Sequence, residues 1–126
     1  MTTERIFIGK QGEDIALDFL KKQGYKILER NFRSKLGELD IIAKDKNTIC
    51  FVEVKARSSA EKGSGFDAIT KDKQHKLSKL ALAYLKGNNL LKEPARFDVV
   101  SVEWDGSTNK TELIKNAFSL DSHYTY

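Results

Sequence analysis

Glu53 and Lys55 sit two residues apart in the stretch FVEVK, inside an otherwise apolar run. Residues i and i+2 of a strand share a face. Glu53 and Lys55 should therefore point the same way as Phe51, with Val52 and Val54 on the other face. Upstream, Asp40 lies in GELDIIAKD, where its neighbours Leu39 and Ile41 are expected to point away from it. A hairpin closed over the polar segment KDKN brings Asp40 opposite the end of the FVEVK strand. Two carboxylates and a lysine then converge at one position of a sheet.

Such a cluster has two readings. The first is a salt bridge on a solvated strand face, Glu53 with Lys55 or Asp40 with Lys55. The second follows from burial. The run ICFVEVKA is apolar on both sides of the acid, and a buried carboxylate needs a metal, a partner or a proton. Two adjacent carboxylates repel unless a cation stands between them. Mg²⁺ prefers oxygen ligands and uses one or two carboxylates, keeping several waters. Between Asp40 and Glu53 it would polarise a phosphodiester and activate water. Lys55 would stabilise developing negative charge or position that water. No Cys/His cluster has zinc spacing, which argues against zinc.

The elements that must position these groups are legible from periodicity. Residues 9–23 read as a helix, with Ile15, Ala16, Phe19 and Leu20 at helical spacing and Gly24 as its stop. Glu13 falls at the edge of that apolar stripe. YKILERNFR, GELDIIAKD and TICFVEVKA read as three strands, the last two as a hairpin. Residues 57–67, rich in Ser and Gly, read as a loop. A second helix is expected over 68–87, with Leu77, Leu80, Ala81, Tyr84 and Leu85 on its apolar face. RFDVVSVEW reads as a fourth strand and TELIKNAF as a short fifth element. A helical crossover between the third and fourth strands makes that pair parallel. The expected architecture is α/β, one mixed sheet flanked by helices, as a single domain over residues 1–126.

Gln74 lies three residues before Leu77 and seven before Ala81, so it extends the stripe of the second helix towards Glu53 and Lys55. It reads equally as a helix-end surface residue. Lys71, Lys73, Lys76 and Lys79 open the same helix. They form either a solvated face or a grip for a phosphate backbone. Arg33, Lys35 and Arg57 lie near strand ends and add to the second reading.

The 126 residues carry 22 Lys and Arg against 18 Asp and Glu. This +4 is mild, and it is concentrated: residues 71–96 hold seven basic and two acidic side chains. That distribution favours an anionic partner. The lone Cys50 excludes an intrachain disulfide and reads as a small buried hydrophobe. No apolar run reaches the length of a membrane span, and the first residues do not form a signal peptide. A cytoplasmic protein is expected.

Beyond these patterns, longer strings carry a resemblance. GKQGEDIALDFLKKQGYKILERNFRSKLGELDIIAKD, FVEVKARS, KDKQHKLSKLALAYL, RFDVVSVEW and NAF resemble the YraN-type family of small bacterial proteins, predicted nucleases. The match spans about residues 8–118. Asp40 followed by Glu53-Val54-Lys55 also resembles the acidic-then-E-x-K signature of restriction-endonuclease-like nucleases. The resemblance implies a restriction-endonuclease-like fold, similar to that of archaeal-type Holliday junction resolvases. It implies a Mg²⁺- or Mn²⁺-dependent endonuclease acting on DNA, with branched or damaged DNA as candidate substrates. Asp40 and Glu53 would be metal ligands, the Val54 carbonyl would complete the shell, and Lys55 would be the catalytic lysine. Glu13 matches the extra helical acid of resolvase-like members, which would place it among the metal ligands too. Gln74 matches their polar residue on the helix after the third strand. Leu39 stands where the superfamily often has Pro. Resolvase-like relatives work as dimers, so a homodimer is implied, although no dimer surface is legible. The alternatives are a nucleic-acid-binding module that keeps the fold without cutting, and a protein-binding adaptor.

Overall fold

The computed structural model describes residues 3–58, 69–104 and 108–119. Helix α1 (Thr3–Lys22) is followed by strands β1 (Lys26–Ser34), β2 (Gly37–Asp45) and β3 (Thr48–Ser58). Helix α2 (Lys71–Gly87) and strands β4 (Ala95–Trp104) and β5 (Asn109–Phe118) complete the chain. One five-stranded sheet has the order β1-β2-β3-β4-β5. All neighbours are antiparallel except β3 and β4, which run parallel with Val52 beside Asp98 and Glu53 beside Val99. The α2 crossover has room to return the chain to the same end of the sheet, as parallel pairing requires. The fold is therefore α/β, a mixed sheet flanked by helices. Most of the Ser/Gly-rich loop expected over 57–67 lies outside the described residues, although β3 itself continues to Ser58.

Strand alternation divides the core between the two helices. Leu77, Leu80, Ala81, Tyr84 and Leu85 of α2 pack with Leu39, Ile42, Ile49, Phe51 and Phe97. Ala16 and Leu20 of α1 pack on the opposite face with Ile41, Ala43, Cys50, Val52, Val100 and Val102. Burying one such aliphatic or aromatic side chain contributes about 1.5–3 kcal/mol, so each helix is held mainly by its apolar stripe. Helix α1 begins at Thr3, before the expected start, and continues through Gly9 and Gly12. Its C-terminus follows expectation. Gly24, at φ 93°, takes the left-handed conformation, and the Tyr25 N–H closes onto the Leu20 carbonyl at 3.0 Å. TELIKNAF is no short element. It is the core of a ten-residue edge strand.

Gly12 sets how closely α1 approaches the sheet. A Cβ at this position would overlap the Cβ of Ala56 on β3. Only glycine lets the helix backbone settle there, and the next residue is Glu13.

A polar network pins the end of the sheet where Tyr25 follows α1. Asp98 on β4 is fully buried. It accepts from the Tyr25 hydroxyl at 2.9 Å, from Arg96 Nε at 2.9 Å and from the Asn116 N–H at 2.9 Å. The Arg96 guanidinium also donates to Tyr25 Oη and, at 2.8 Å, to Asp45 Oδ2. The β4–β5 register shifts at this point, between Phe97 and Val99. The Asp98 carboxylate thus takes an N–H that the interrupted ladder leaves over, as buried polar groups require.

Candidate functional site

Asp40 and Glu53 meet where β2 and β3 part. The recorded pairing of these strands runs from Asp45↔Thr48 to Ile41↔Val52 and stops. The next β3 amide facing β2 belongs to Val54. It donates instead to Asp40 Oδ2, at 2.8 Å. A residue's N–H and C=O point to the same side of a strand, so the Val54 carbonyl faces Asp40 as well. Asp40 also lacks a partner in the β1 register, which steps from Arg30↔Ile41 to Phe32↔Leu39. The residue opposite Asp40 on β1 is Asn31, at φ 56°. Asn is one of the few residue types that enters this region readily.

This irregularity corrects one expectation from the sequence. Leu39 and Ile41 do not share a face: Leu39 packs under α2 and Ile41 under α1. Strict alternation fails here, opposite the left-handed Asn31, and the Asp40 carboxylate reaches across to the Val54 N–H. The alternation predicted for β3 holds, with Phe51 in the α2 core and Val52 in the α1 core.

Glu53 is buried and faces α2. Among the described residues its ion pair is with Lys73, Nζ to Oε2 at 3.0 Å, and not with Lys55. Lys73 occupies the first turn of α2. The Thr70 side chain caps this helix by accepting from the Lys73 N–H at 3.1 Å. Lys55 itself is half-buried on β3.

The electrostatics follow from this crowding. Burial pushes the Asp40 carboxyl up to about 8, with a hydrogen bond and like charge from Glu53 adding to it; the Val54 N–H acts in the opposite direction. Burial and the neighbouring carboxylate therefore favour a proton held between the two acids in the metal-free protein. Burial pulls the Lys73 ammonium down, but Glu53 and then Asp40 outweigh it, so its pKa lies above the ordinary lysine value. Glu13 is also raised, first by burial and then by Glu38, Asp14 and Glu53, against the opposing charge of Arg30.

Glu13 acts on this cluster by its charge and is held in place by Asn31. The Asn31 amide faces Glu13 Oε1 at 3.0 Å and Glu38 Oε1 at 2.9 Å. Both are acceptors, so its nitrogen belongs there as a double donor. Arg33 Nε donates to Glu38 Oε2 at 2.9 Å, and Arg30 pairs with Asp14. Glu13 thus feels the field of Glu53 but is held by its own partners. Among the described residues, no group of three or more His, Cys, Asp or Glu side chains is gathered to hold a metal. The donor set facing the gap is two carboxylates and a backbone carbonyl. These are hard oxygen ligands, which suit Mg²⁺ or Mn²⁺ with water filling the rest of the shell.

The remaining sequence candidates are dispersed. Gln74 is half-buried, and its amide donates to the Ile69 carbonyl at 2.8 Å, across the start of α2. Lys73 is the α2 residue that reaches Glu53. It lies four residues before Leu77 and seven before Leu80, so it too extends the apolar stripe. That spacing could have singled it out. Lys76 pairs with Asp72 at 3.3 Å, Lys71 is exposed and Lys79 is half-buried. Arg33 and Lys35 are exposed at the β1–β2 turn, and Arg57 is half-buried near the end of β3. Asn31 and Glu38 gave no sequence signal beyond an Asn within a strand.

Comparison with known proteins finds relatives over most of the chain. A protein from Desulfosudis oleivorans, "UPF0102 protein", is 53% identical over 121 residues, covering 96% of this chain and 97% of its own. A protein of the same name from Trichlorobacter lovleyi is 53% identical over 115 residues, covering 90% of this chain and 91% of its own. The structure of Pyrococcus furiosus SfsA in complex with Ca²⁺ is similar only distantly. It has a TM-score of 0.39 and 17% identity, covering 88% of this chain and 62% of that one. The model of the uncharacterised protein family UPF0102 matches residues 12–102, a segment that contains Glu13, Asp40, Glu53, Lys55 and Lys73. The chain belongs to the UPF0102 family.

Proposed function

We propose that this protein is a restriction-endonuclease-like, Mg²⁺- or Mn²⁺-dependent endonuclease that hydrolyses phosphodiester bonds of DNA. The observation that carries the reading is the Asp40–Glu53 pair at the parting of β2 and β3, with the Val54 backbone beside it. Two carboxylates that must share a proton when alone are a poor structural device and a good cation site. A bound divalent ion supplies polarisation of the phosphate and a more acidic water. Asp40 and Glu53 hold that position, and the Val54 carbonyl faces it. Lys55, two residues along β3, places positive charge where the phosphorane oxygens gain negative charge. Glu13 and Asn31 orient polar groups at the rim, and Gln74 braces the start of α2 on which Lys73 stands.

Lys71, Lys76 and Lys79 on α2, with Arg33, Lys35 and Arg57, give a sequence-independent grip on a phosphate backbone. Branched or damaged DNA fits a site without base-reading side chains, and symmetric cutting of two strands calls for a homodimer. Among the described residues no helix is long and apolar enough to cross a membrane.

The test is cleavage of plasmid, single-stranded, flap and four-way-junction DNA with Mg²⁺ or Mn²⁺. Wild type is expected to cut at least one, and Asp40→Ala and Glu53→Ala to lose at least a hundredfold in rate, on the order of 3 kcal/mol in barrier. Equal cutting by both variants, or none by wild type, sinks the enzyme reading. The Lys73–Glu53 ion pair, which neutralises Glu53 without metal, favours a second reading, a non-catalytic nucleic-acid-binding module. That module would bind DNA in a salt-dependent way with a chelator present and cut nothing.

A further inference from the structure

We propose that Lys73 is the resident counterion of the site, displaced from Glu53 when a divalent cation arrives and freed to hold a phosphate of the nucleic acid. The inference rests on the metal-site reading above and adds a residue and an order of events to it.

Three observations carry it. The Lys73 ammonium lies 3.0 Å from Glu53 Oε2, on one of the two carboxylates that would ligate the metal. An ammonium at this distance and a metal on the same oxygen exclude each other by charge and by volume. The two side chains also differ in exposure, 9% for Glu53 and 52% for Lys73. The carboxylate cannot leave the cluster, whereas the lysine reaches in from solvent on a flexible stem and can swing out at small cost. Finally, Lys73 stands in the first turn of α2, anchored by the Thr70 cap, between Lys71 and Lys76. Released there, its charge joins those of Lys71 and Lys76 on the helix rather than being lost to the site.

Charge balance favours the exchange. Lys73 meets only the Glu53 carboxylate, whereas a divalent ion can draw on Asp40 and Glu53 together. A divalent ion neutralises both and leaves Lys73 without its partner. The freed ammonium finds a new partner most readily in a backbone phosphate. Metal and nucleic acid should therefore bind with positive coupling through this one side chain.

The experiment measures Mn²⁺ binding to the full chain without nucleic acid, by calorimetry and by the Mn²⁺ paramagnetic resonance signal. Wild type, Lys73→Gln, Lys73→Arg and Asp40→Asn are compared. Removing the competing charge is expected to tighten Mn²⁺ about two- to fivefold in Lys73→Gln, the scale of a half-exposed ion pair. Lys73→Arg, which keeps the charge, should stay near wild type. A ¹⁵N signal of the Lys73 ammonium should show the ion pair in the metal-free protein and lose it on adding Mg²⁺. For the coupling, Ca²⁺ should raise the affinity for a short DNA duplex less in Lys73→Gln than in wild type. Mn²⁺ binding that depends on Asp40 but is unchanged or weaker in Lys73→Gln overturns the counterion role and leaves the metal site standing. Binding that is absent from wild type, or indifferent to Asp40→Asn, removes both.

Discussion

Replacing Asp40 by Asn should stabilise the metal-free protein, and more so as pH rises. In the folded state the Asp40 carboxyl is pushed up to about 8 from an ordinary 3.8. Between these values the unfolded chain has lost the proton and the folded chain keeps it. Unfolding then releases a proton, so stability falls as pH rises. The favourable contribution is complete below about pH 4 and is gone above about pH 8. At ~1.4 kcal/mol per pH unit the ceiling on that loss is about 5–6 kcal/mol. Water entry and the nearby Lys73 charge reduce it, since effective dielectric constants at such sites are closer to ~20 than to ~4. A change of about 1–3 kcal/mol is the realistic expectation. Asparagine keeps the acceptor for the Val54 N–H and offers its own N–H₂ to Glu53, so it replaces the shared proton with a permanent donor. Urea unfolding of both proteins in chelator, at about pH 5 and about pH 8.5, reads the effect as a difference between midpoints multiplied by m. The variant's advantage should be small at the lower pH and larger at the higher one. An advantage that does not grow with pH, or a variant that is less stable at pH 8.5, refutes the shared-proton account of the pair.

Other perturbations test the surrounding frame. Gly12→Ala gains helix propensity, about 1 kcal/mol, yet should lower the melting temperature. Its Cβ overlaps Ala56 Cβ, and overpacking typically costs about 1–3 kcal/mol. A second change, Ala56→Gly, should recover much of the loss, and a raised melting temperature in the single variant would contradict the close approach. Asp98→Ala removes the acceptor of the Tyr25 hydroxyl, of Arg96 Nε and of the Asn116 N–H together. A loss of about 3–5 kcal/mol in chemical unfolding is expected, and a loss under ~1 kcal/mol would mean the network is dispensable. Burial, then the charge of Asp98, pushes the Cys50 thiol up to about 12. Native protein at about pH 8 should therefore resist a thiol reagent and become labelled only as urea unfolds it; fast stoichiometric labelling of the folded chain would contradict that.

Much of the frame was legible because periodicity reports which face of an element is buried. GELDIIAKD and TICFVEVKA form the expected antiparallel hairpin, and the helical crossover makes β3 and β4 parallel. The stripe Leu77, Leu80, Ala81, Tyr84 and Leu85 is buried as its spacing implied. Cys50 is in the core. The convergence of Asp40 with Glu53 followed from the same hairpin argument. It needed only the period of two and a short turn, both local properties.

What periodicity could not supply were departures from itself and choices between competing partners. The break in alternation that splits Leu39 from Ile41 lies opposite Asn31, whose left-handed φ no period encodes. Glu53 had Lys55 two residues away and Lys73 twenty residues away, and it pairs with Lys73. A strand holds i and i+2 on parallel courses, whereas a helix lying across the face can aim a long side chain straight at the acid. Asp98, Arg96 and Tyr25 likewise meet only because α1 ends above the start of β4. The sequence by itself determined the elements and most of their buried faces, and it singled out the two acids of the candidate site. Only the tertiary structure decided which cation those acids hold, because that depends on distances between elements that no local pattern encodes.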